Sequence, residues 1–168
     1  MRAIAFAAHK HRDQRRKNEE ASPYINHPIA LADVLANEGG VHEIPVLVAA
    51  ILHDTIEDTE TTEADLRREF GDAIAGIVLA VTDDKTLEKA ERKRLQVVHA
   101  ATSSREAKLV KLADKICNVR DVATSPPKHW DLKRRQAYFE WAKEVIDQLR
   151  GVHPQLEAVF DEAYKAKP

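Results

Sequence analysis

One short run of the chain concentrates side chains that bind metals and move protons. It reads HDTIED and occupies residues 53–58. Residues four apart share one face of a helix, so His53 is expected to align with Glu57, and Asp54 with Asp58. Two possible metal ligands, His53 and Asp54, next to two further carboxylates are suited to metal-assisted hydrolysis of a phosphate ester. The metal activates a water molecule, and an adjacent acid or base transfers its proton.

Two residues outside this run extend the candidate metal site. His27 precedes Pro28 at a predicted helix start, and Asp114 lies on a separate apolar helix. With His53 and Asp54 they form a ligand set of two imidazoles and two carboxylates. This mixed nitrogen and oxygen set suits Mn²⁺ or Fe²⁺ and also accepts Co²⁺ or Zn²⁺. The sequence therefore predicts a divalent metal site built from three helices.

The acidic residues Glu57 and Asp58 are the candidate catalytic groups. Either could orient or deprotonate the attacking water, and the sequence does not divide these roles between them. A His-Asp pair at a helix end is by itself more typical of a cap or an ion pair. The convergence of His27 and Asp114 with the run at 53–58 is what favours the metal site.

The elements that must position these residues are helices. No segment shows the alternating pattern of a strand, and Gly and Pro are few, at 5 and 7. The segment 43–58 is apolar on most faces, which predicts a compact all-α, multi-helix fold with this buried helix at its centre. Ser103 with Glu106 predicts a capping box at the start of the helix that carries Asp114. The predicted helices span about residues 2–16, 26–39, 43–58, 62–71, 74–81, 86–100, 103–125, 131–150 and 153–166.

The bulk properties restrict the class of protein. The chain has 168 residues, which predicts a single domain over 1–168. Its formal net charge of −2 gives no reason to expect a nucleic-acid partner. One cysteine, no signal peptide and no apolar span favour a reduced, cytoplasmic location without a membrane partner. The amphipathic helices at 131–150 and 153–166 leave packing against a second copy open.

Several polar residues are candidates for holding a substrate. Arg16 and Lys17 follow the first predicted helix, and an arginine can both pair with phosphate and stack on a base. Asn118 shares a helix face with Asp114 and could hold a ribose or phosphate oxygen. Tyr138 is more typical of helix packing, but we retain it as a candidate pocket residue. The basic residues of the helix at 86–100 are interpreted as a solvated face.

Seven motifs carry a resemblance to a known family and together cover nearly the whole chain. The chain resembles the HD-domain (p)ppGpp hydrolases of the RelA/SpoT group, and most of all the single-domain small alarmone hydrolases, which include the metazoan SpoT homologue. The motifs are QRRK (14–17), PYINHPI (23–29), AAILHDTIEDTETT (49–62), VTDDKT (81–86), ERKRLQV (91–97), AKLVKLADKICNVRD (107–121) and YFEWA (138–142).

This resemblance implies a reaction and a role for each matched position. The implied reaction is the hydrolysis of ppGpp to GDP and pyrophosphate, usually with Mn²⁺, and a guanine nucleotide is the implied partner. Arg16 and Lys17 match positions near the guanine or a phosphate, and Asn118 matches a nucleotide contact. The implied metal ligands are His27, His53, Asp54 and Asp114, and the implied catalytic acidic pair is Glu57 and Asp58.

Two alternatives remain at this point. The first is another HD phosphohydrolase, in particular one that removes the 2′-phosphate of NADPH, because both substrates offer a ribose phosphate to one metal. The second is a catalytically idle nucleotide-binding module. Since all four ligands and both acidic residues are present, the idle module is the weaker alternative. The synthetase domain of the long bifunctional relatives is not expected here.

Overall fold

The chain folds into helices throughout, and the isolated antiparallel bridge between Arg15 and Pro23 is its β-type pairing. The computed structural model describes residues 1–168, and it confirms the all-α fold class. No helix combines the length and the apolar character that crossing a bilayer requires. The helices are α1 Arg2–Lys10, α2 Asn26–Asp33 with a π-helical continuation Val34–Glu38, α3 Ile44–Leu52, α4 Thr55–Asp58, α5 Glu63–Phe70, α6 Asp72–Val81, α7 Lys89–Ala100, α8 Arg105–Thr124, α9 Leu132–Asp147 and α10 Pro154–Tyr164.

Two helices share the centre of the fold. Helix α3 packs against α1, α2, α6 and α8, which confirms the buried central helix expected within 43–58. Helix α8 packs in addition against α9 and α10. Its residues Leu109, Leu112 and Ile116 are fully buried, and burying each such side chain contributes about 1.5–3 kcal/mol. The two helices that supply most of the candidate metal ligands are therefore the best anchored parts of the molecule.

The first helix is shorter than the sequence predicts. Helix α1 ends at Lys10 instead of residue 16. The following segment pairs its backbone with the chain just before α2, because Arg16 N donates to Ser22 O at 2.9 Å and Tyr24 N donates to Gln14 O at 3.1 Å. These bonds replace helical ones and turn residues 11–25 into a loop that lies beside the candidate site.

The predicted helix at 43–58 is also wrong as a continuous element. Helix α3 ends at Leu52 and α4 begins at Thr55, with Asp54 at φ −100° and ψ 2° between them. Two side chains bond the carbonyls of the last α3 turn, His53 Nδ1 to Ala50 O at 2.8 Å and Thr55 Oγ1 to Leu52 O at 2.7 Å. Side-chain bonds of this kind compete with the helical ladder and end the helix.

The N-termini of α5 and α8 are both capped by a side-chain oxygen. Thr62 and Asp65 form a capping box at the start of α5. The capping box of Ser103 with Glu106 is wrong. Ser104 is the N-cap of α8 and accepts from the backbone N–H three residues later at 3.2 Å, whereas Ser103 Oγ donates to His99 O. Either serine can form this bond, so the sequence alone fixes the start only to within one residue.

Gly39 ends the π-helical turn as the sequence predicts. A Cβ atom at this position would lie 2.7 Å from Cδ2 of Leu156. Helix α10 can therefore approach the end of α2 only because residue 39 has no side chain.

Candidate active site

Three of the four predicted metal ligands converge in the interior. His27 lies in the first turn of α2, His53 follows the last turn of α3, and Asp114 lies midway along α8. One ligand atom from each lies within 4.8 Å of the others. His27 Nε2 is 3.3 Å and His53 Nε2 is 4.0 Å from Asp114 Oδ1. Both histidines are buried, and Asp114 is partly exposed.

The hydrogen bonds of His53 prepare this residue for a cation. Its Nδ1 donates to Ala50 O at 2.8 Å, so Nε2 is the nitrogen that a metal could take over from a proton. Nε2 is buried, and although Asp54 Oδ2 lies 2.9 Å away, the two atoms do not meet the geometry of a hydrogen bond. Burial lowers the pKa of His53, but the carboxylates of Asp54 and Asp114 outweigh it and raise this pKa to about 9. A site that draws a proton onto an imidazole so strongly is one whose negative charge suits a divalent cation.

Asp54, the fourth predicted ligand, lies beside the cluster rather than within it. Its Oδ2 is 2.9 Å from His53 Nε2, at an ion-pair distance, and it accepts a hydrogen bond from the hydroxyl of Tyr24. Burial raises the pKa of Asp54, but His53 outweighs this effect and holds the pKa far below its usual value. The carboxylate is thus ionised, and its direct ligation of a metal remains a prediction.

Asp114 is held by partners on both of its oxygens. Asn118 Nδ2 donates to Oδ1 at 2.6 Å, and Lys115 Nζ lies 2.9 Å from Oδ2. Lys115 is buried and also lies 4.5 Å from the centre of the Trp141 ring. Burial would raise the pKa of Asp114, but Lys115 and the nearby histidines lower it well below its usual value. The side chain predicted to ligate a metal is therefore both oriented and charged.

The two candidate catalytic carboxylates have different surroundings. Asp58 accepts hydrogen bonds from Gln14 Nε2 at 2.8 Å and from the ammonium group of Lys85. Glu57 Oε2 accepts from the backbone N–H of Asp83 at 3.1 Å. Burial, together with the charge of Asp54, raises the pKa of Glu57 to about 7. Glu57 is therefore the carboxylate better suited to exchange a proton near neutral pH.

A cavity of about 740 Å³ opens over this site. Its volume is in the range that proteins use for small-molecule ligands. All four candidate substrate residues line it, and a smaller adjoining cavity of about 160 Å³ reaches the metal cluster. The basic and aromatic residues around the larger cavity are Arg15, Arg16, Lys17, Lys85, Arg92, Tyr24, Tyr138 and Trp130, and its acidic residues are Asp54, Glu57, Asp58 and Asp121.

The four candidate substrate residues differ in how firmly they are held. Arg16 Nη2 donates to Asp121 Oδ2 at 2.5 Å and to Asn118 Oδ1 at 3.3 Å. Lys17 is exposed at the rim, and Tyr138 is half-buried in the wall. The structure thus brings these residues to one cavity, and their contacts with a ligand remain predictions.

Sequence reasoning missed several residues around the cavity. The interpretation of residues 86–100 as a solvated face is wrong for Arg92, which, like Lys85 just before that helix, lines the cavity. Both lie in motifs that carry the family resemblance, which was the available signal. Gln14 and Tyr24 likewise lie in such motifs, while nothing in the sequence marked Trp130.

Comparison with known proteins gives the family. The family model described as "HD domain" matches residues 3–140. A human protein named guanosine-3′,5′-bis(diphosphate) 3′-pyrophosphohydrolase MESH1 is 52% identical over 167 residues, which cover 99% of this chain and 93% of that protein. The Xenopus tropicalis protein of the same name is 51% identical over 164 residues, covering 98% of this chain and 92% of that one.

A solved structure agrees with the sequence comparison. It is titled "A metazoan ortholog of SpoT hydrolyzes ppGpp and plays a role in starvation responses" and superposes with a TM-score of 0.96 at 48% identity. The match covers 98% of this chain and 93% of that chain. On the family match and on these near full-length similarities, the chain belongs to the HD-domain family.

Proposed function

We propose that this protein hydrolyses guanosine-3′,5′-bis(diphosphate), ppGpp, to GDP and pyrophosphate in a metal-dependent reaction. The observation that carries the proposal is the juxtaposition of the His27, His53 and Asp114 cluster with the Glu57 and Asp58 carboxylates, which line two adjoining cavities that share His27 and Glu57. The near full-length similarity to proteins named for this activity supports the choice of substrate.

The metal is proposed to be Mn²⁺, with Fe²⁺, Co²⁺ or Zn²⁺ as chemically acceptable substitutes. His27, His53, Asp54 and Asp114 would hold it. When bound, the ion would supply Lewis-acid activation of water and of a phosphoryl oxygen. The buried Nε2 atom of His53, which lies among the carboxylates of Asp54 and Asp114, supports this assignment.

Four side chains near the metal cluster would transfer the proton, orient the water and neutralise the leaving group. Glu57 would accept the proton of the attacking water, because burial holds its pKa near neutrality. Asp58 would orient that water. Lys85 and Arg92, beside these carboxylates, would neutralise the departing pyrophosphate. This arrangement places positive charge where negative charge develops.

The other end of the cavity would hold the nucleoside. Arg16 and Lys17 are proposed to contact the base or the 5′-phosphates, and Asn118 the ribose. Tyr138 offers an aromatic surface against which a base can pack. The cluster of five cationic side chains in the cavity wall, Arg15, Arg16, Lys17, Lys85 and Arg92, supports a substrate with several phosphate charges.

We also propose that residues 1–168 act as one domain. Helix α10 packs against α8 and the end of α2. The C-terminal helices therefore stabilise the helix that carries Asp114, even though the matched family region ends at residue 140.

A product assay tests the function directly. Metal-stripped protein is incubated with ppGpp, and separately with NADPH, with and without Mn²⁺, and the products are separated by ion exchange. GDP and pyrophosphate that form only with added metal support the proposal. NADH with inorganic phosphate as the sole products would overturn the substrate assignment. Turnover without metal, or full activity in a Glu57→Gln protein, would overturn the mechanism.

A further inference from the structure

We propose that His11 and Gln14 are positioning residues that hold the carboxylate of Asp58 in its working orientation. The inference rests on the proposed function, in which Asp58 belongs to the acidic pair. Neither His11 nor Gln14 ligates the metal cluster, and both lie in the loop that replaces the end of the predicted first helix.

Two side-chain contacts in series, from His11 to Gln14 and from Gln14 to Asp58, form this arrangement, and one backbone hydrogen bond supports it. His11 is buried, 2% exposed, and its Nδ1 lies 2.6 Å from Gln14 Oε1. The Nε2 atom of the same Gln14 amide donates to Asp58 Oδ2 at 2.8 Å. The loop backbone adds a bond from Gln14 N to His11 O at 2.9 Å, which keeps the two side chains adjacent.

The direction of these hydrogen bonds follows from the chemistry of the last acceptor. An ionised Asp58 can only accept, so the NH₂ group of Gln14 must face it. The amide oxygen of Gln14 then faces His11, and Nδ1 of His11 must carry the proton. Nε2 of a neutral His11 is left as a bare acceptor, and this atom is indeed buried without a partner. His11 thereby prevents the Gln14 amide from flipping.

Asp58 needs this support because its other partner is a long side chain that is only half covered by the protein. Lys85 is half exposed, at 49% of its side chain, and its long side chain can follow a carboxylate that rotates. Gln14 and His11 are the better anchored side, since the His11 ring packs on the ring of Tyr24 with centroids 4.8 Å apart. Without the Gln14 amide, Asp58 would keep Lys85 as a partner and lose its fixed direction.

Two substitutions at His11 separate positioning from simple packing. His11→Phe keeps a ring against Tyr24 and removes the donor. His11→Asn removes the ring and keeps an N–H donor close to the position of Nδ1. The same two substitutions at His9, which is exposed on α1, are the matched controls.

Steady-state kinetics with ppGpp and Mn²⁺ gives the first measurement. We expect His11→Phe to lower kcat about tenfold with KM changed by less than about twofold, and His11→Asn to retain kcat within about threefold. The His9 variants should match the unsubstituted protein. The reverse order, with His11→Phe active and His11→Asn impaired, is what packing alone would give, and it would overturn the proposal.

Two further variants keep the test decisive if His11→Phe folds poorly. Gln14→Met has nearly the same shape without the amide and should also lose about tenfold in kcat. In an Asp58→Asn background, Gln14→Met should cost no more than about twofold, because the carboxylate it positions is gone. A full tenfold loss in that background would contradict the proposal.

A measurement without substrate distinguishes failure of this inference from failure of the proposed function. The side-chain NH₂ resonances of Gln14 in ¹⁵N-labelled protein are identified by their loss in Gln14→Met. We expect slow exchange of these protons in the unsubstituted protein and in His11→Asn, and fast exchange in His11→Phe. Equal exchange in all three proteins would overturn the positioning role, whether or not ppGpp is the substrate.

Discussion

Glu57 and Asp58 are neighbours in sequence whose carboxylates are held in contrasting ways. Asp58 accepts hydrogen bonds from two side chains, Gln14 and Lys85. Glu57 accepts from a backbone N–H, and burial together with the charge of Asp54 raises its pKa to about 7. This difference supports the proposed division of tasks between the two residues, which their spacing in the sequence did not indicate.

The first prediction concerns the pH dependence of the reaction. If Glu57 is the base, its ionised form is active, so kcat/KM for ppGpp should rise with pH through its pKa. A bound cation lowers that pKa, so the half-rise should fall at or below pH 7. Glu57→Gln should lower kcat by about 100-fold or more and abolish the rise. Kinetics between pH 5 and pH 9 measures both effects, and a rise that persists in Glu57→Gln would exclude this residue as the base.

The second prediction concerns stability in the metal-free protein. The pKa of Glu57 is raised in the folded state, so its contribution is fully present below the unfolded pKa of about 4.3 and is lost as the pH rises through about 7. The free energy of unfolding of Glu57→Gln should therefore increase relative to that of the unsubstituted protein between pH 5 and pH 8. Urea denaturation at both pH values measures this difference. Exposed Glu19→Gln is the control, and an equal pH effect there would refute the explanation.

The third prediction concerns the metal cluster. If Mn²⁺ binds the folded protein and not the unfolded chain, it should stabilise the protein by about 2.7 kcal/mol at 100 times its Kd. Asp114→Asn should abolish the accompanying rise in Tm, because the cluster loses a charged ligand. His42→Ala, an exposed histidine outside the site, should keep the full rise. Thermal unfolding with and without Mn²⁺ makes the comparison, and an unchanged rise in Asp114→Asn would place the metal elsewhere.

The fourth prediction separates two arginines on α7. Arg92 lines the cavity, and its Nη1 is 3.9 Å from Glu57 Oε1, whereas Arg94 points away and is paired with Glu91 at 2.7 Å. Arg92→Met should lower kcat/KM for ppGpp about tenfold, with most of the loss in kcat, since a charged contact to the departing phosphate contributes about 1.5–3 kcal/mol. Arg94→Met should change kcat and KM by less than about twofold. Equal effects of the two substitutions would mean that Arg92, like Arg94, belongs to a solvated face of α7 and does not contact the substrate.

The fifth prediction concerns the start of α8. Ser104→Ala removes the N-cap hydrogen bond and should lower the free energy of unfolding by about 1 kcal/mol. Ser103→Ala should cost less than about 0.5 kcal/mol. Chemical denaturation of the two variants distinguishes them, and the reverse order would restore the capping box first inferred at Ser103.

Much of the fold could be predicted because apolar residues recur with helical spacing and glycine or capping residues mark the ends. The break at His53 and Asp54 could not, because it depends on side-chain bonds to the carbonyls of Ala50 and Leu52. Propensity and periodicity carry no information about such bonds. The prediction of a helix at 43–58 was therefore correct in its location and wrong in treating the helix as uninterrupted.

The metal cluster could be predicted from the sequence, whereas the basic residues that line the cavity could be predicted only in part. His27, His53 and Asp114 could be grouped because their types and their helices indicated a shared interior site, and the structure brings them together. The direction of Arg92 could not be inferred, because α7 is highly charged and its orientation follows from packing against α9. Tertiary packing, not local pattern, decides which of several basic residues reaches the cavity.

The loop at 11–25 has a consequence for how this scaffold can change. The ligand cluster is built on α2, α3 and α8, which are buried against one another, whereas Arg16, Lys17 and Gln14 lie on a connecting segment at the surface. Loops accept substitutions and insertions far more readily than packed helices. New substrates could therefore be acquired by substitutions at Arg16 and Lys17, as long as Gln14 and Tyr24 of the same loop keep their contacts with Asp58 and Asp54.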